Sequence, residues 1–196
     1  MGPVTPDVAI ADPMACALFL IAAFVVAGLA QTAWFASPRS QRFAIPIDGG
    51  AMFRGRRVFG DHKTLRGFVA MIPAAALAFA LLAAALGTSR PWPLTLAGYA
   101  VLGAMAGLGF MLGELPNSFV KRRLDIAPGM AARGSRSSAL QFAIDRVDSA
   151  VGMLCAVSLL VPMPPATWAI VLTIGPAIHW AFSVAMFLLG LKARPA

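Results

Sequence analysis

Charge is what this 196-residue chain has least of. Asp, Glu, Lys and Arg make up 12% of it, about half the share in an ordinary globular domain. Apolar residues account for 59%, and the mean hydropathy is +0.79. So little polar surface cannot cover a folded chain in water, which excludes a soluble enzyme, a disordered chain and a fibrous repeat. Cysteine is nearly absent. Cys16 and Cys155 each lie in an apolar run, so there is neither a disulfide framework nor a metal-ligand spacing. Acid is scarce too, with eight Asp and Glu against 16 Lys and Arg. The segment before Met14 holds Asp7 and Asp12 but no basic residue, so the apolar run after it lacks the cationic flank of a secretory signal. No internal repeat, low-complexity tract or linker divides the chain, and residues 1–196 read as a single membrane domain.

What is present instead is apolar length. Crossing about 30 Å of hydrocarbon takes about 20 helical residues at 1.5 Å each. Residues 14–35, 67–87, 92–113 and 165–190 meet this, the last with Pro176 and His179 inside it. A fifth run, 149–161, reaches full length only when extended back to 140, where it takes in Asp145, Arg146 and Asp148. The expectation is an all-α integral membrane protein with five transmembrane helices. Seven Lys and Arg fall in the connection 36–66 and five in 114–139, against Arg90 alone in the two short connections. The positive-inside rule then places the N-terminus outside, the C-terminus in the cytosol, and two long loops on the cytosolic side of the cell (inner) membrane. Gly103 with Gly107 and Gly109 with Gly113 are spaced for close helix packing. His179 reads as a packed residue bonded to another helix.

The first long loop runs PIDGGAMFRGRRVFGDHKTLRG over 46–67. Asp48 with Gly49 and Gly50 makes a tight turn beside a carboxylate. Gly60-Asp61-His62-Lys63-Thr64, then Arg66-Gly67, crowds an acid, cations, a hydroxyl and two glycines into eight positions. Glycines let backbone N–H groups approach a phosphate. Lys63 and Arg66 suit its oxygens, one as a point charge and the other as a bidentate fork. The plainer alternative is a solvated loop that touches anionic headgroups.

The second loop opens on Glu114 at the helix–cytosol boundary and carries Lys121-Arg122-Arg123. Arg133 and Arg136 read as a solvated basic lip. The sharpest pattern is Asp145-Arg146-Val147-Asp148-Ser149. Three positions apart on a helix, the two carboxylates share a face with Cβ atoms about 5–6 Å apart. Each costs about 2.5–3.5 kcal/mol at mid-bilayer, less near the interface. A divalent cation reverses that cost, because Mg²⁺ favours one or two carboxylates with phosphate oxygens and waters. A purely structural ion-pair cluster with Arg146 and a neighbouring-helix cation is the alternative. The chemistry that fits acids and cations together is phosphoryl or nucleotidyl transfer onto a lipid phosphate. That reaction needs positioning and charge neutralisation but no protein nucleophile.

These residues carry a resemblance. GDHKTLRG (60–67), preceded by DGG (48–50), resembles the CDP-archaeol synthase family of membrane cytidylyltransferases. The stretch from Gly113 through SFVKRR and Pro128-Gly129 to DRVDS (145–149) is similar to the signature shared with CDP-diacylglycerol synthases. The resemblance implies a CTP-dependent cytidylyltransferase acting on a membrane phosphatidic-acid-type lipid. The products are a CDP-activated lipid (CDP-archaeol or CDP-diacylglycerol) and pyrophosphate, with Mg²⁺ as cofactor. It implies metal carboxylates at Asp145 and Asp148, with Glu114 a further candidate where the family pattern has Asp. It implies Asp61, Lys63 and Arg66 in the catalytic pocket, and Asp48, Thr64, Ser118, Lys121 and Arg122 around substrate phosphates. No nucleic-acid partner is expected. Two other readings stay open. One is a non-enzymatic transporter or lipid-binding protein with intramembrane acids, although no inverted repeat is visible. The other is a CDP-alcohol phosphotransferase, although its signature needs more aspartates than eight acids supply.

Overall fold

Each apolar run becomes a helix whose ends are set by local chemistry. The computed structural model describes residues 11–127, 130 and 135–191. Asp7, Pro128-Gly129, Arg133, the Arg136 side chain, Lys192 and Arg194 lie outside the described residues. Helix α1 (Pro13–Ala36) starts where Asp12 Oδ2 accepts the Ala15 N–H at 2.7 Å, with Pro13 at a position that needs no donor. Helix α2 (Leu65–Leu86) follows the first loop. Helix α3 (Leu96–Arg123) is capped by Thr95 Oγ1, which accepts the Gly98 N–H at 3.0 Å. Helices α4 (Ser135–Ser158) and α5 (Pro165–Leu188) complete the chain.

The boundaries that differ most from the expectation belong to α3, which starts at Leu96 rather than 92, and to α4, which ends at Ser158 rather than 161. Helix α3 runs past Glu114 to Arg123, so ten residues expected in the second loop are helical and Pro116 lies inside the helix. An interior proline costs about 3 kcal/mol. Contacts made beyond it offset that: Asn117 and Lys121 bond to α4, and Arg123 donates to carbonyls of Phe53, Arg56 and Arg57. Helix α4 begins at Ser135 rather than 140. Apolarity marks where the lipid ends, which is not where backbone hydrogen bonding ends.

Among the described residues, four helical segments are long and apolar enough to cross a membrane: α1, Leu65–Ser89, α3 and α5. Helix α4 is long enough but carries Asp145, Arg146 and Asp148, and is not among them. Each long helix packs on the next, and α5 returns to α1, closing a ring in chain order. Large apolar side chains face out of the ring: Leu77 and Leu81 are 60% and 59% exposed, and Leu159 79%. An exterior of that kind suits hydrocarbon as its solvent.

One end of the ring is an aromatic knot. The Phe19 ring meets Phe79, Trp92 and Tyr99 at 5.2, 5.7 and 5.3 Å. Tyr99 Oη donates to the Trp92 carbonyl, and Trp92 Nε1 donates to Pro162 O, at 2.8 and 3.2 Å. Thr167 Oγ1 donates to Pro13 O at 3.0 Å, joining the starts of α5 and α1. The polar residues gather at the other end. There the first loop forms a 3₁₀ turn (Pro38–Phe43) and a two-stranded hairpin, β1 (Met52–Phe53) with β2 (Arg56–Arg57). Its turn residues Arg54 and Gly55 have φ of 51° and 75°, the left-handed geometry that a type I′ turn requires.

Candidate active site

The site is built where α3 and α4 come closest, and glycine sets that distance. A Cβ on Gly113 would lie 2.4 Å from Asp148 O, and one on Gly152 would lie 2.2 Å from Gly109 O. These two helices therefore touch backbone to backbone. The Gly103–Gly107 pair does the same against Ala75 and Met71 of α2. Helix α3 is thus the shared wall, with one small-residue seam for each neighbour.

Close approach brings polar faces together. Glu114, Asn117 and Lys121 recur at i, i+3 and i+7 on α3 and meet Asp145, Asp148 and Ser149 of α4. Asn117 Nδ2 donates to Asp145 Oδ1 at 2.6 Å and to Asp148 Oδ2 at 2.8 Å. Lys121 Nζ pairs with Asp145. Ser149 Oγ donates to Glu114 Oε1 at 2.9 Å. Lys63, arriving from the first loop one residue before the α2 N-cap, pairs with Glu114 across 51 positions of chain. Burial opposes the Lys63 charge, but the Glu114 carboxylate and, farther off, Asp148 and Asp145 override it and hold the ammonium above its ordinary pKa. Three acids and two lysines thus form one continuous network.

The structure does not bring every expected residue there. Asp48 is spent on the loop itself: its side chain is 1% exposed and accepts from the N–H groups of Gly50, Phe59 and Gly60 at 3.0–3.1 Å, and from Arg57 at 2.6 Å. Burial works to raise its pKa, and the Arg57 guanidinium with the three amides more than reverses that, leaving it far below the carboxylate range. Asp61 is largely exposed and pairs with Arg57 at 2.6 Å. It lines a shallow pocket with Arg56, Arg57 and Arg122, away from the acids of α4. Arg66 also departs from the expectation. It donates to Phe35 O and Ser40 Oγ and stacks on the Phe35 ring at 4.5 Å, fastening α2 to the end of α1. Ser118 is buried in α3. Thr64 is the α2 N-cap and faces the cavity described next.

Inside the ring lies a cavity of about 380 Å³ lined by all five long helices. Its polar end holds His62, Lys63, Thr64, Glu114 and Arg146; its walls include Leu20, Phe24, Phe110, Met153, Ile178 and Phe182. His179 also lines it, with its ring 6.3 Å from that of Phe110. Asn117 and Ser149 are the polar members that the motif reading left without a role. The 114/117/121 spacing on one helical face was the signal that could have found Asn117.

The donor set fits magnesium. Asp145 Oδ1 and Asp148 Oδ2 converge on one point, since both accept from the same amide nitrogen, and a cation there would meet the same two oxygens. Glu114 is engaged by Lys63 and Ser149 instead. Among the described residues no three His, Cys, Asp or Glu groups gather to hold a metal alone. Two carboxylates without a third ligand suit an ion that keeps waters and takes phosphate oxygens, rather than zinc or a calcium cage.

A family model described as CarS-like CDP-archaeol synthase matches residues 42–195. The CDP-archaeol synthase of Pyrococcus furiosus is 30% identical over 155 residues, covering 76% of this chain and 83% of that protein. That of Halorubrum lacusprofundi is 34% identical over 158 residues, with coverage of 76% and 83%. A solved structure of an intramembrane enzyme for archaeal membrane lipids biosynthesis is 28% identical, with a TM-score of 0.57, over 80% of this chain and 90% of that one.

Proposed function

The chain belongs to the CarS-like CDP-archaeol synthase family, and on that premise we propose that it transfers CMP from CTP to an archaeol-type lipid phosphate. In the balanced reaction, a phosphate oxygen of the lipid forms a bond to the α-phosphorus of CTP. The bond from that phosphorus to the bridging oxygen of the β-phosphate breaks, and pyrophosphate leaves. The observation that carries this reading is the joining of Lys63, Glu114, Asp145, Asp148 and Lys121 into one network whose Lys63–Glu114 end lines an apolar cavity. Charged polyphosphate and lipid chain then have adjoining places.

The residues divide the work by position. Asp145 and Asp148 hold Mg²⁺ when it is bound, and the ion supplies neutralisation and polarisation of phosphoryl oxygens. Lys121, tethered by Asp145, sits where it receives a phosphate oxygen of the nucleotide. Lys63 stays protonated because Glu114 faces it, so it brings positive charge to the cavity mouth without a proton transfer. Asn117 holds the two aspartates in one orientation until a cation takes the place of its amide nitrogen between the same oxygens. Asp48 acts one step removed, by holding the loop that delivers Lys63.

The membrane arrangement follows the same reading. Helix α4 serves as a fifth span whose charged half is shielded by α3 and lines the site, giving an external N-terminus and a cytosolic C-terminus. The site opens to cytosolic CTP and, at headgroup depth, to lipid. The test is purified protein with CTP, Mg²⁺ and a panel of ether- and ester-linked phosphatidic acids. CDP-lipid with matching pyrophosphate, strongest for the ether lipid, is the expected result. CMP release, or no turnover with any lipid phosphate, overturns the reading in favour of a phosphotransferase or a non-enzymatic protein.

A further inference from the structure

Helix α4 presents two chemically different faces. Asp145, Asp148 and Ser149 turn toward α3, whereas Arg146, Ala150 and Met153, at i, i+4 and i+7, line the cavity. Arg146 is a buried charge, 9% exposed. No carboxylate lies within ion-pair distance of it among the described residues. Its contacts come from its own preceding turn: Nη1 donates to Phe142 O at 2.9 Å, and the guanidinium carbon lies 3.2 Å from the Phe142 ring centroid. These hold the group in place without cancelling its charge, and its Nε is buried with no partner. A buried guanidinium left so is costly unless an anion arrives to pair with it.

The surroundings say what kind of anion. The cavity beside Arg146 is walled by Leu20, Phe24, Phe110, Met153 and Phe182, which suit a hydrocarbon chain. Lys63 at the polar end is already paired with Glu114, which leaves the Arg146 guanidinium to select an amphiphile with an anionic head. Resting on the function proposed above, we propose that Arg146 binds the phosphate of the lipid substrate. It does so on the face of α4 turned away from the nucleotide and its metal carboxylates. The helix then separates the two phosphate-bearing substrates by construction. The acid face takes the nucleotide and the arginine face takes the acceptor, which meet at the cavity mouth.

The test titrates lipid phosphate and CTP separately in the full-length protein with Mg²⁺, comparing wild type with Arg146→Gln and Arg146→Lys. Arg146→Gln is expected to raise the KM for lipid phosphate about tenfold or more while the KM for CTP stays within about twofold. Arg146→Lys is expected to recover part of that loss, since it keeps the charge but not the fork. A purely structural role would move both constants together. A second readout needs no turnover: lipid phosphate without CTP should raise the unfolding temperature of the wild type more than that of Arg146→Gln. The unphosphorylated lipid should affect the two alike. An unchanged lipid KM, or a raised CTP KM with the lipid KM unchanged, overturns the assignment, as does equal stabilisation of both proteins by lipid phosphate. If the wild type makes no CDP-lipid from any lipid phosphate, the proposed function fails, and the stabilisation measurement still decides the role of Arg146. Should Arg146→Gln not fold, Arg146→Lys carries the test, with the same split between the two constants expected.

Discussion

Replacing Gly152 by alanine should disable the site from a distance. The added Cβ would stand 2.2 Å from Gly109 O and 2.7 Å from Gly113 Cα. Both are backbone atoms, so no side chain can swing aside, and the contact is short of normal separation by about 1 Å or more. The helices must part by that amount. Gly152 lies one turn from Asp148, so the parting carries through to the Asn117 bonds of 2.6 and 2.8 Å. Lengthened to about 3.6 Å or more, they cease to be hydrogen bonds. A displacement of about 1 Å at a reacting centre costs about 100-fold in rate, and overpacking costs about 1–3 kcal/mol of stability. The comparison variant is Gly103→Ala. Its Cβ would stand 2.4 Å from Ala75 O in the α2–α3 seam, about 16 Å along the helix from Glu114. Both variants should lose similar stability in thermal unfolding, but only Gly152→Ala should lose about 100-fold in kcat for CDP-lipid formation. Equal rate losses in the two variants, or full turnover by Gly152→Ala, would refute the claim that the α3–α4 seam sets the site geometry.

Three further outcomes are expected. Asp148→Asn keeps the size of the side chain but removes a carboxylate, and should lower CDP-lipid formation by about 100- to 1000-fold with little change in unfolding temperature; normal turnover measured with labelled CTP would end the metal-site assignment. Asp48 has a native pKa below the free-carboxylate value of about 3.9, so its contribution to stability is complete above that value and is lost as pH falls below it. Hydrogen-exchange protection of the Phe59 and Gly60 amides should therefore hold at pH 5–7 and weaken below about pH 4, and Asp48→Asn should weaken it at pH 7. Arg66→Met removes bonds to Phe35 O and Ser40 Oγ and should cost about 1–3 kcal/mol in unfolding measurements while leaving the KM for CTP unchanged; a tenfold rise in that KM would return Arg66 to the nucleotide.

Much of the local structure was legible in advance because it depends on neighbours in the chain. The apolar runs 14–35 and 165–190 became α1 and α5 within two residues at each end. The spacing of Asp145 and Asp148 placed both on one helical face, and their oxygens do converge on one donor. The glycine pairs of α3 were legible as packing seams, although not which helix each would meet. The motif GDHKTLRG is contiguous in sequence, but its side chains disperse in the fold. Lys63 reaches Glu114, Arg66 turns back to α1, and Asp61 pairs with Arg57. Lys63 and Arg66 lie three positions apart, but the start of α2 falls between them and sends the two side chains to different helices.

The amino-acid sequence determined alone that this chain is a helical membrane protein with acids embedded beside a basic loop, because apolar length and charge spacing act over one or two helical turns. Tertiary structure decided which cation meets which acid, and that α4 turns carboxylates to one side and Arg146 to the other. Those outcomes depend on two helix backbones touching through glycine and on a loop closing over 51 residues, distances that local periodicity does not encode.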